Sequence, residues 1–295
     1  MRVTFNQQHG GAATLQTAAR ELALAQRAVT TGRRVLVASD DPLAARTIVQ
    51  ERAEMAGLDA YKHSAETAAS RLAAADTALS GIIELYTQAQ TTTAAARGTT
   101  ATPAARAALA AEVRGLRASV LTQINAQFGG RPLFAGGQAE GQAYAGVPGA
   151  WTYQGTADTI QLEVQRERLV SITFDGQSIL QGSDPQNVLE SLDALADAIE
   201  AGDQAGMVDG LGALDRAFQR ATRAQGRLGA DDRGVADAVT QLNRLRLASE
   251  SRRSASEDAN MAEAITRLSE ADTAYRAALA AVSREERQSL LDYLK

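Results

Sequence analysis

The feature that most limits the fold is a row of apolar residues spaced seven apart, within the first third of the chain. Its members are Leu58, Ala65, Leu72, Leu79 and Tyr86. A second row beside it contains Ile48, Met55, Ala69 and Ile83, with Lys62 and Asp76 completing its spacing. Two adjacent rows of this length predict a single long helix that packs lengthwise in a bundle. We predict this helix over residues 42–96.

The start of the long helix is marked by Ser39-Asp40-Asp41-Pro42. Either aspartate can accept hydrogen bonds from free backbone amides, and Pro42 suits the first helical turn. An earlier helix is indicated by apolar residues at alternating spacings of three and four, namely Leu15, Ala18, Leu22, Ala25 and Val29. We expect it to end at Thr31-Gly32, because glycine favours the left-handed cap. A short extended stretch at 33–38 should join the two helices.

The middle of the chain changes character after a third predicted helix at 104–128. Glycine-rich turns follow, and alternating runs predict strands at 159–164, 169–174 and 177–180, with a hairpin turn at Asp175-Gly176. From Pro185 onward the pattern is helical again. The last seam consists of Met261, Ile265, Leu268, Asp272, Tyr275, Leu279 and Val282.

The predicted fold is therefore mainly α, a long coiled-coil or helical-bundle rod formed by the N- and C-terminal segments, with a small β-rich domain inserted in the middle. We expect residues 1–32 and 257–295 to form a terminal, innermost coiled-coil domain. Residues 33–135 and 185–256 would form a helical rod domain. Residues 136–184 would form the β-rich insertion.

Composition argues against several classes of function. The formal net charge is −5, and no segment is a block of one sign, which disfavours a nucleic-acid or electrostatically held membrane partner. No run approaches the roughly 20 apolar residues of a membrane span. The chain has no cysteine, so disulfides and thiolate metal sites are excluded. Because Met1-Arg2-Val3-Thr4-Phe5 leads into polar residues, we expect no cleaved signal peptide.

No group of residues assembles an active site, so we expect no enzyme activity, no cofactor, no metal and no small-molecule substrate. His9 and His63 are the only histidines and lie in different segments. Asp40 and Asp41 are better explained as a helix cap than as a catalytic pair. The glycine-rich residues 129–141 lack the Gly-Lys-Ser/Thr ending of a phosphate loop.

Periodicity alone leaves two interpretations, a self-contained helical bundle or a polymerising subunit. The seams extend almost to both ends of the chain, and they carry polar residues such as Asp272 and Glu286. Polar interruptions suit packing against neighbours better than a monomeric core. These two features favour the polymerising subunit.

Three motifs carry a resemblance to the bacterial flagellin family. Thr31-Gly32-Arg33-Arg34-Val35, followed by Ala38-Ser39-Asp40-Asp41-Pro42, resembles the family's N-terminal signature. The turn at 130–136 is similar to the family's Gly-x-x-Leu-Phe-x-Gly turn. Residues 254–264 resemble the opening of its last helix, with Asn260 where aspartate is usual. The start at 1–4 and the end at 288–294 are more similar to the hook–filament junction class than to filament flagellins.

The resemblance implies a structural subunit of the flagellum that adapts the hook to the flagellin filament. It implies an extracellular location at the hook–filament junction, reached from the cytoplasm by export of the unfolded chain through the flagellar type III apparatus. The implied partners are further copies in a ring or helical layer, the other hook–filament junction protein, flagellin and a cytoplasmic export chaperone. A filament flagellin and a cytoplasmic coiled-coil scaffold remain as alternatives.

Candidate residues follow for three roles. The assembly or coiled-coil interface would use Leu15, Leu22, Val29, Met261, Ile265, Leu268, Tyr275, Leu279 and Val282. Chaperone binding would use Leu279, Val282, Leu290, Leu291 and Leu294. The family signature residues are Thr31, Gly32, Arg33, Ser39, Asp40, Asp41 and Pro42.

Overall fold

A computed structural model describes residues 3–98 and 102–293, with side chains described for 13–98 and 102–284. Helices make up 72% of the chain, which confirms the mainly α prediction. The helices are α1 Val3–Thr31, α2 Pro42–Ala96, α3 Pro103–Ile124, α4 Gly176–Leu180, α5 Val188–Ala201, α6 Gln204–Glu257 and α7 Met261–Tyr293. The strands are β1 Gln127–Phe128, β2 Arg131–Pro132, β3 Tyr144–Val147, β4 Ala150–Tyr153, β5 Gln161–Gln165 and β6 Arg168–Ser171.

The strands in the described chain pair only with their neighbours in sequence. They form three antiparallel two-stranded sheets, β1–β2, β3–β4 and β5–β6. In the third hairpin Glu167 occupies the turn with a φ of 63°, an uncommon conformation for a residue other than glycine. The small sheet-containing segment predicted for the middle of the chain is therefore present.

The chain divides into two compact units. Unit 1 consists of Met1–Gly57 and Leu245–Lys295, and unit 2 of Leu58–Arg244. Both boundaries fall inside long helices, α2 and α6. The three-part domain division stays a prediction.

The core of unit 2 begins with the seven-residue row of α2. Leu58, Ala65, Leu72, Leu79 and Tyr86 are all buried, with exposed fractions of 6% or less. The last four of them join one apolar cluster that includes residues of α3, α5, α6 and the hairpins. The predicted helical row is thus the buried face of α2.

The region between β6 and α5 differs from the prediction. Residues 177–180 were expected to form a strand after a hairpin turn, and both expectations are wrong. The segment is helix α4, because the Asp175 carboxylate accepts hydrogen bonds from the amides of Gln177 at 2.9 Å and Ser178 at 3.2 Å. These bonds satisfy the free amides of a helix start, and this local capping outweighs the strand preference of a short apolar run.

Three further features differ from the prediction: the stretch at 33–38, the end of the third helix, which was predicted at 128, and one hairpin. The predicted extended stretch at 33–38 is wrong, since it consists of bends and turns with one bridge, between Arg33 and Asp258. The third helix ends at Ile124, because Asn125 takes a C-cap conformation there and the chain turns into β1. Hairpin β3–β4 had no counterpart in the prediction.

Candidate assembly interface

The two terminal sequence motifs meet in unit 1. Helix α1 ends at Thr31, and Gly32 follows with a φ of 69°, the left-handed conformation that glycine adopts without strain. The Gly32 carbonyl then accepts from the Ala259 amide at 2.8 Å, and the Arg34 amide donates to the Glu257 carbonyl at 2.8 Å. These bonds tie the α1–α2 connection to the break between α6 and α7. We call this region the joint.

The centre of the joint is the buried carboxylate of Glu257, which is 1% exposed. Its Oε1 lies 3.1 Å from Arg33 and 2.7 Å from Arg52, and its Oε2 contacts Arg253. A buried carboxylate surrounded by guanidinium groups is held by charge-assisted hydrogen bonds, and removing it would leave the cations unpaired. Glu257 lies within the motif at 254–264, but nothing in that motif predicted this role, and no pattern identified Arg52.

Asp40 and Asp41 have separate structural roles in the same connection. Asp41 caps α2, since its Oδ1 accepts from the Ala44 amide at 3.0 Å while its Oδ2 pairs with Arg34 at 2.9 Å. Asp40 accepts from the Val37 and Leu36 amides, both at 3.0 Å. Those backbone donors lower the pKa of Asp40, and the Ala44 amide followed by Arg34 lowers the pKa of Asp41.

Helices α1 and α7 pack against each other, and they run in opposite directions because the end of α1 is bonded to the start of α7 at the joint. Among the described side chains of these two helices, the buried apolar residues are Ala18 and Ala264. Six predicted seam residues lie half-buried, namely Leu15, Leu22, Val29, Leu268, Tyr275 and Val282. The contact between α1 and α7 therefore covers only part of the predicted seam.

The remaining seam residues lie at the edge of that contact and are more exposed. Met261, Ile265 and Leu279 are 44%, 55% and 48% exposed. At about 100° per residue, these three side chains lie within about 40° of one another on α7, so they form one outer stripe. Asp272 lies in the middle of the stripe and pairs with Arg276 at 2.7 Å.

Unit 1 exposes more large apolar side chains than this stripe alone. Of the thirteen large hydrophobic residues exposed in the described part of the chain, ten belong to unit 1. They are Leu24, Leu36, Val37, Leu43, Val49, Leu245, Leu247, Met261, Ile265 and Leu279. Leu24, Leu36 and Val37 line a groove of about 630 Å³ beside the joint. Clustered exposed apolar residues mark interaction surfaces.

The chaperone-binding candidates are only partly covered by the structure. Leu279 is exposed and Val282 is half-buried, both on α7. The side chains of Leu290 and Leu291, and all of Leu294, lie outside the described residues.

Residues that would support other functions were also located. His63 is exposed on α2, whereas the side chain of His9 lies outside the described residues. Within the described part of the chain, no group of three or more His, Cys, Asp or Glu residues is placed to hold a metal ion. None of the described helices combines the length and apolar character needed to cross a membrane.

Long helices at both ends, a joint that ties them together and an unpartnered apolar surface define a class of helical structural subunits. Family comparison then gives the family. A model of the bacterial flagellin N-terminal helical region matches residues 5–139, and a model of the C-terminal helical region matches residues 211–294. The chain belongs to the bacterial flagellin family.

Among curated proteins, the flagellar hook-associated protein 3 of Escherichia coli (strain K12) is 29% identical over 163 residues, which are 55% of this chain. The match spans 51%, about half, of the length of that relative.

Solved structures share the fold at lower identity. A putative flagellar hook-associated protein from Vibrio parahaemolyticus has a TM-score of 0.70 at 21% identity, covering 74% of this chain and 99% of that chain. FlgL from Bacillus cereus has a TM-score of 0.60 at 18% identity, covering 70% of this chain and 99% of that chain. The flagellar junction protein FlgL from Legionella pneumophila has a TM-score of 0.60 at 12% identity, covering 72% of this chain and 100% of that chain.

Proposed function

We propose that this chain is a structural subunit of the hook–filament junction and adapts the hook to the flagellin filament. Membership in the flagellin family supports a structural role in the flagellum. The relatives named as hook-associated or junction proteins support the junction over the filament. The chain carries out no catalysis and needs no cofactor in this role.

The single observation that carries the proposal is the concentration of exposed apolar residues in unit 1. Fully burying an exposed Leu, Ile, Val or Met side chain stabilises a contact by about 1.5–3 kcal/mol, and a half-exposed side chain gains roughly half of that. Neighbouring subunits that cover Met261, Ile265 and Leu279 would therefore gain several such contributions. The monomer forgoes this burial, which makes assembly the favourable state of the surface.

The same reasoning predicts that the terminal helices become ordered on assembly. The buried apolar residues that the structure describes on α1 and α7 are alanines, which bury little apolar area, and amphipathic helices are marginal without tertiary packing. We expect weak amide protection at 15–29 and 265–282 in the monomer and strong protection in the assembled junction. Hydrogen exchange measures this, and strong protection in the free monomer contradicts it.

Export and chaperone capture belong to the proposal. The chain crosses to the cell exterior through the flagellar type III apparatus, after a cytoplasmic chaperone binds Leu279, Val282, Leu290, Leu291 and Leu294. A helix laid in an apolar groove is the expected binding mode. Replacing Leu290 and Leu291 with Ser should weaken binding to the chaperone, and unchanged affinity would contradict this part of the proposal.

In the assembled flagellum the subunit would contact further copies in its own layer, the other hook–filament junction protein and flagellin. Residues 1–32 and 257–295 would form the innermost layer, residues 33–135 and 185–256 the surrounding helical layer, and residues 136–184 the outermost insertion. Limited proteolysis of isolated junctions tests this order, since the outermost segment should be cleaved first.

The decisive experiment is to delete the gene, image the flagella and probe the medium for flagellin. Bare hooks with unpolymerised flagellin in the medium would establish the junction role. Hooks that still carry junction proteins, with no flagellin in the medium, would instead identify a filament subunit. Normal filaments would refute both.

Two alternative functions are separated by simple measurements. A filament flagellin would be abundant in purified filaments, whereas a junction protein would be scarce. A cytoplasmic coiled-coil scaffold would be absent from isolated hook–basal bodies.

A further inference from the structure

Hairpin β1–β2 of unit 2 covers an arginine that has no carboxylate partner. Arg71, on α2, is 7% exposed, and its guanidinium carbon lies 5.8 Å from the centroid of the Phe128 ring. Its Nε donates to the Ile172 carbonyl at 3.1 Å. Among the described residues, no Asp or Glu lies within salt-bridge distance of Arg71.

Two other arginines of unit 2 with largely buried side chains do have carboxylate partners. Arg117 lies 2.9 Å from Asp193, with 12% of each side chain exposed. Arg220 lies 2.6 Å from Asp184, with 16% of each side chain exposed. Covered charges in proteins are normally paired, because an unpaired charge loses hydration without compensation. Arg71 departs from that rule within the same unit.

A second arginine lies on the same face of the hairpin. Arg131 pairs directly with Phe128 in the β1–β2 register, and side chains of directly opposed residues project on the same face. Arg131 is exposed and makes no salt bridge with any described residue. Burial lowers the pKa of Arg71, and the nearby charge of Arg131 lowers it further. No described carboxylate lies within salt-bridge distance of either guanidinium group.

We propose that Arg71 and Arg131 form a carboxylate-binding site on the face of hairpin β1–β2, filled by an acidic side chain of a neighbouring flagellar subunit. Two guanidinium groups provide planar, charge-assisted donors that suit a carboxylate. The Phe128 ring supports the Arg71 guanidinium. That the carboxylate comes from a flagellar neighbour rests on the proposed function, whereas the binding site itself does not.

Acetate serves as the probe for the site on the purified full-length chain. Acetate titration followed by NMR should produce saturable shifts of the Gly129 and Gly130 amides, which form the turn between β1 and β2. Arg71→Gln and Arg131→Gln should each weaken acetate binding about tenfold or more, since hydrogen bonds between charged groups are being removed. Arg97→Gln, which changes an exposed arginine just past the end of the same helix, is the matched control and should leave binding unchanged.

Two results of the titration would overturn the site. One is the absence of saturable shifts in the wild-type chain. The other is equal acetate affinity in the wild type, Arg71→Gln and Arg131→Gln. Arg131 is exposed, so Arg131→Gln keeps the test valid even where Arg71→Gln alters folding.

Assembly then tests the neighbour. In a strain that lacks the gene, the wild type and Arg97→Gln should restore filaments, whereas Arg71→Gln and Arg131→Gln should restore far fewer. Normal filaments with both Arg71→Gln and Arg131→Gln would overturn the assignment to a neighbouring subunit. Failure of the wild type to restore filaments would refute the proposed function and leave the acetate result standing.

The owner of the carboxylate can be identified by crosslinking. The chain has no cysteine, so Gln127→Cys introduces a unique attachment point on the hairpin for a photoreactive benzophenone. Crosslinks in isolated flagella to a second copy, or to another flagellar subunit, would support the proposal and identify the source. The absence of any crosslink to a subunit would overturn it.

Discussion

Units 1 and 2 use the same helical building material in opposite ways. Unit 2 buries one large apolar cluster that includes Leu72, Phe134 and Leu192. The buried apolar cluster described in unit 1 is small and consists of Val35, Ala44 and Ile48, with half-buried Ala45 packed against it, while Ala18 and Ala264 are buried outside it. Most exposed large apolar residues belong to unit 1. Unit 2 therefore has a large core of its own, while unit 1 leaves many of its large apolar side chains exposed.

Polar contacts contribute to holding unit 1 together. In unit 1 the joint depends on Glu257 and its arginines, and Arg252 adds a two-bond ion pair to Glu51 at 2.7 and 2.9 Å. Hydrogen bonds and ion pairs specify geometry while burying little apolar area. A unit held in this way has a defined connection and an apolar exterior, as the ordering on assembly proposed above requires.

The largest expected effect separates two leucines that both lie on helices. Leu72→Ala removes a fully buried side chain of unit 2 and should lower the free energy of unfolding by about 4 kcal/mol. Leu279→Ala removes a side chain that is 48% exposed in unit 1 and should change it by less than about 0.5 kcal/mol. Urea unfolding of the monomers measures both effects.

The assembly readout should invert this order. Leu279→Ala should reduce junction assembly although its monomer is stable, because a neighbour loses an apolar contact. Equal stability losses in the two monomers would show that unit 1 is packed like unit 2 and would remove the basis of the comparison.

The next effect concerns the joint. Glu257→Gln leaves Arg33, Arg52 and Arg253 without their shared carboxylate and should destabilise unit 1 by about 3 kcal/mol. Glu263→Gln is the matched control, because its pair with Arg267 at 2.6 Å is exposed, and it should cost less than about 0.5 kcal/mol. Hydrogen exchange at 31–44 and 253–260 reports the local loss. Unchanged exchange in Glu257→Gln would mean that backbone bonds alone hold the joint.

The sequence predicted the helices better than the joint, for a physical reason. The end of α1 and the start of α2 were predictable because Gly32, Asp41 and Pro42 act on the backbone next to them in sequence. Helix α4 was missed because one Asp175 cap decided it against the local strand pattern. Glu257 and Arg52 are 205 positions apart, so no local pattern reveals that they meet. The same holds for Arg71, whose missing partner is visible only once its surroundings are known.

A smaller effect on stability tests how hairpin β3–β4 is held against the rest of unit 2. Asp193 accepts from the Gly149 amide and the Trp151 Nε1, both at 2.9 Å, and pairs with Arg117. Asp193→Ala should cost about 2–3 kcal/mol, because covered donors lose their acceptor. Asp197→Ala should cost less than about 1 kcal/mol, since that side chain is 74% exposed. Fluorescence of Trp151, the only tryptophan, should shift to longer wavelength in the first variant and not in the second.

The smallest effect is the acid response of the α1–α2 connection. Because the folded pKa values of Asp40 and Asp41 lie below the ordinary value of 3.8, their ionised forms stabilise the fold above that value. This contribution is lost as the pH falls through the lower, folded pKa values. Carboxyl titration by NMR should therefore show midpoints below 3.8 for both residues.

One substitution distinguishes the two aspartates. Arg34→Gln removes the ion pair of Asp41 and should raise the pKa of Asp41 toward its ordinary value. The pKa of Asp40 should stay low, because hydrogen bonds from the backbone amides of Val37 and Leu36 are the main causes of its lowering. If both midpoints rose together, the connection would behave as one electrostatic cluster in which Arg34 positions both carboxylates. If neither rose, the backbone amides alone would account for the cap, and the joint would depend less on charge than Glu257 suggests.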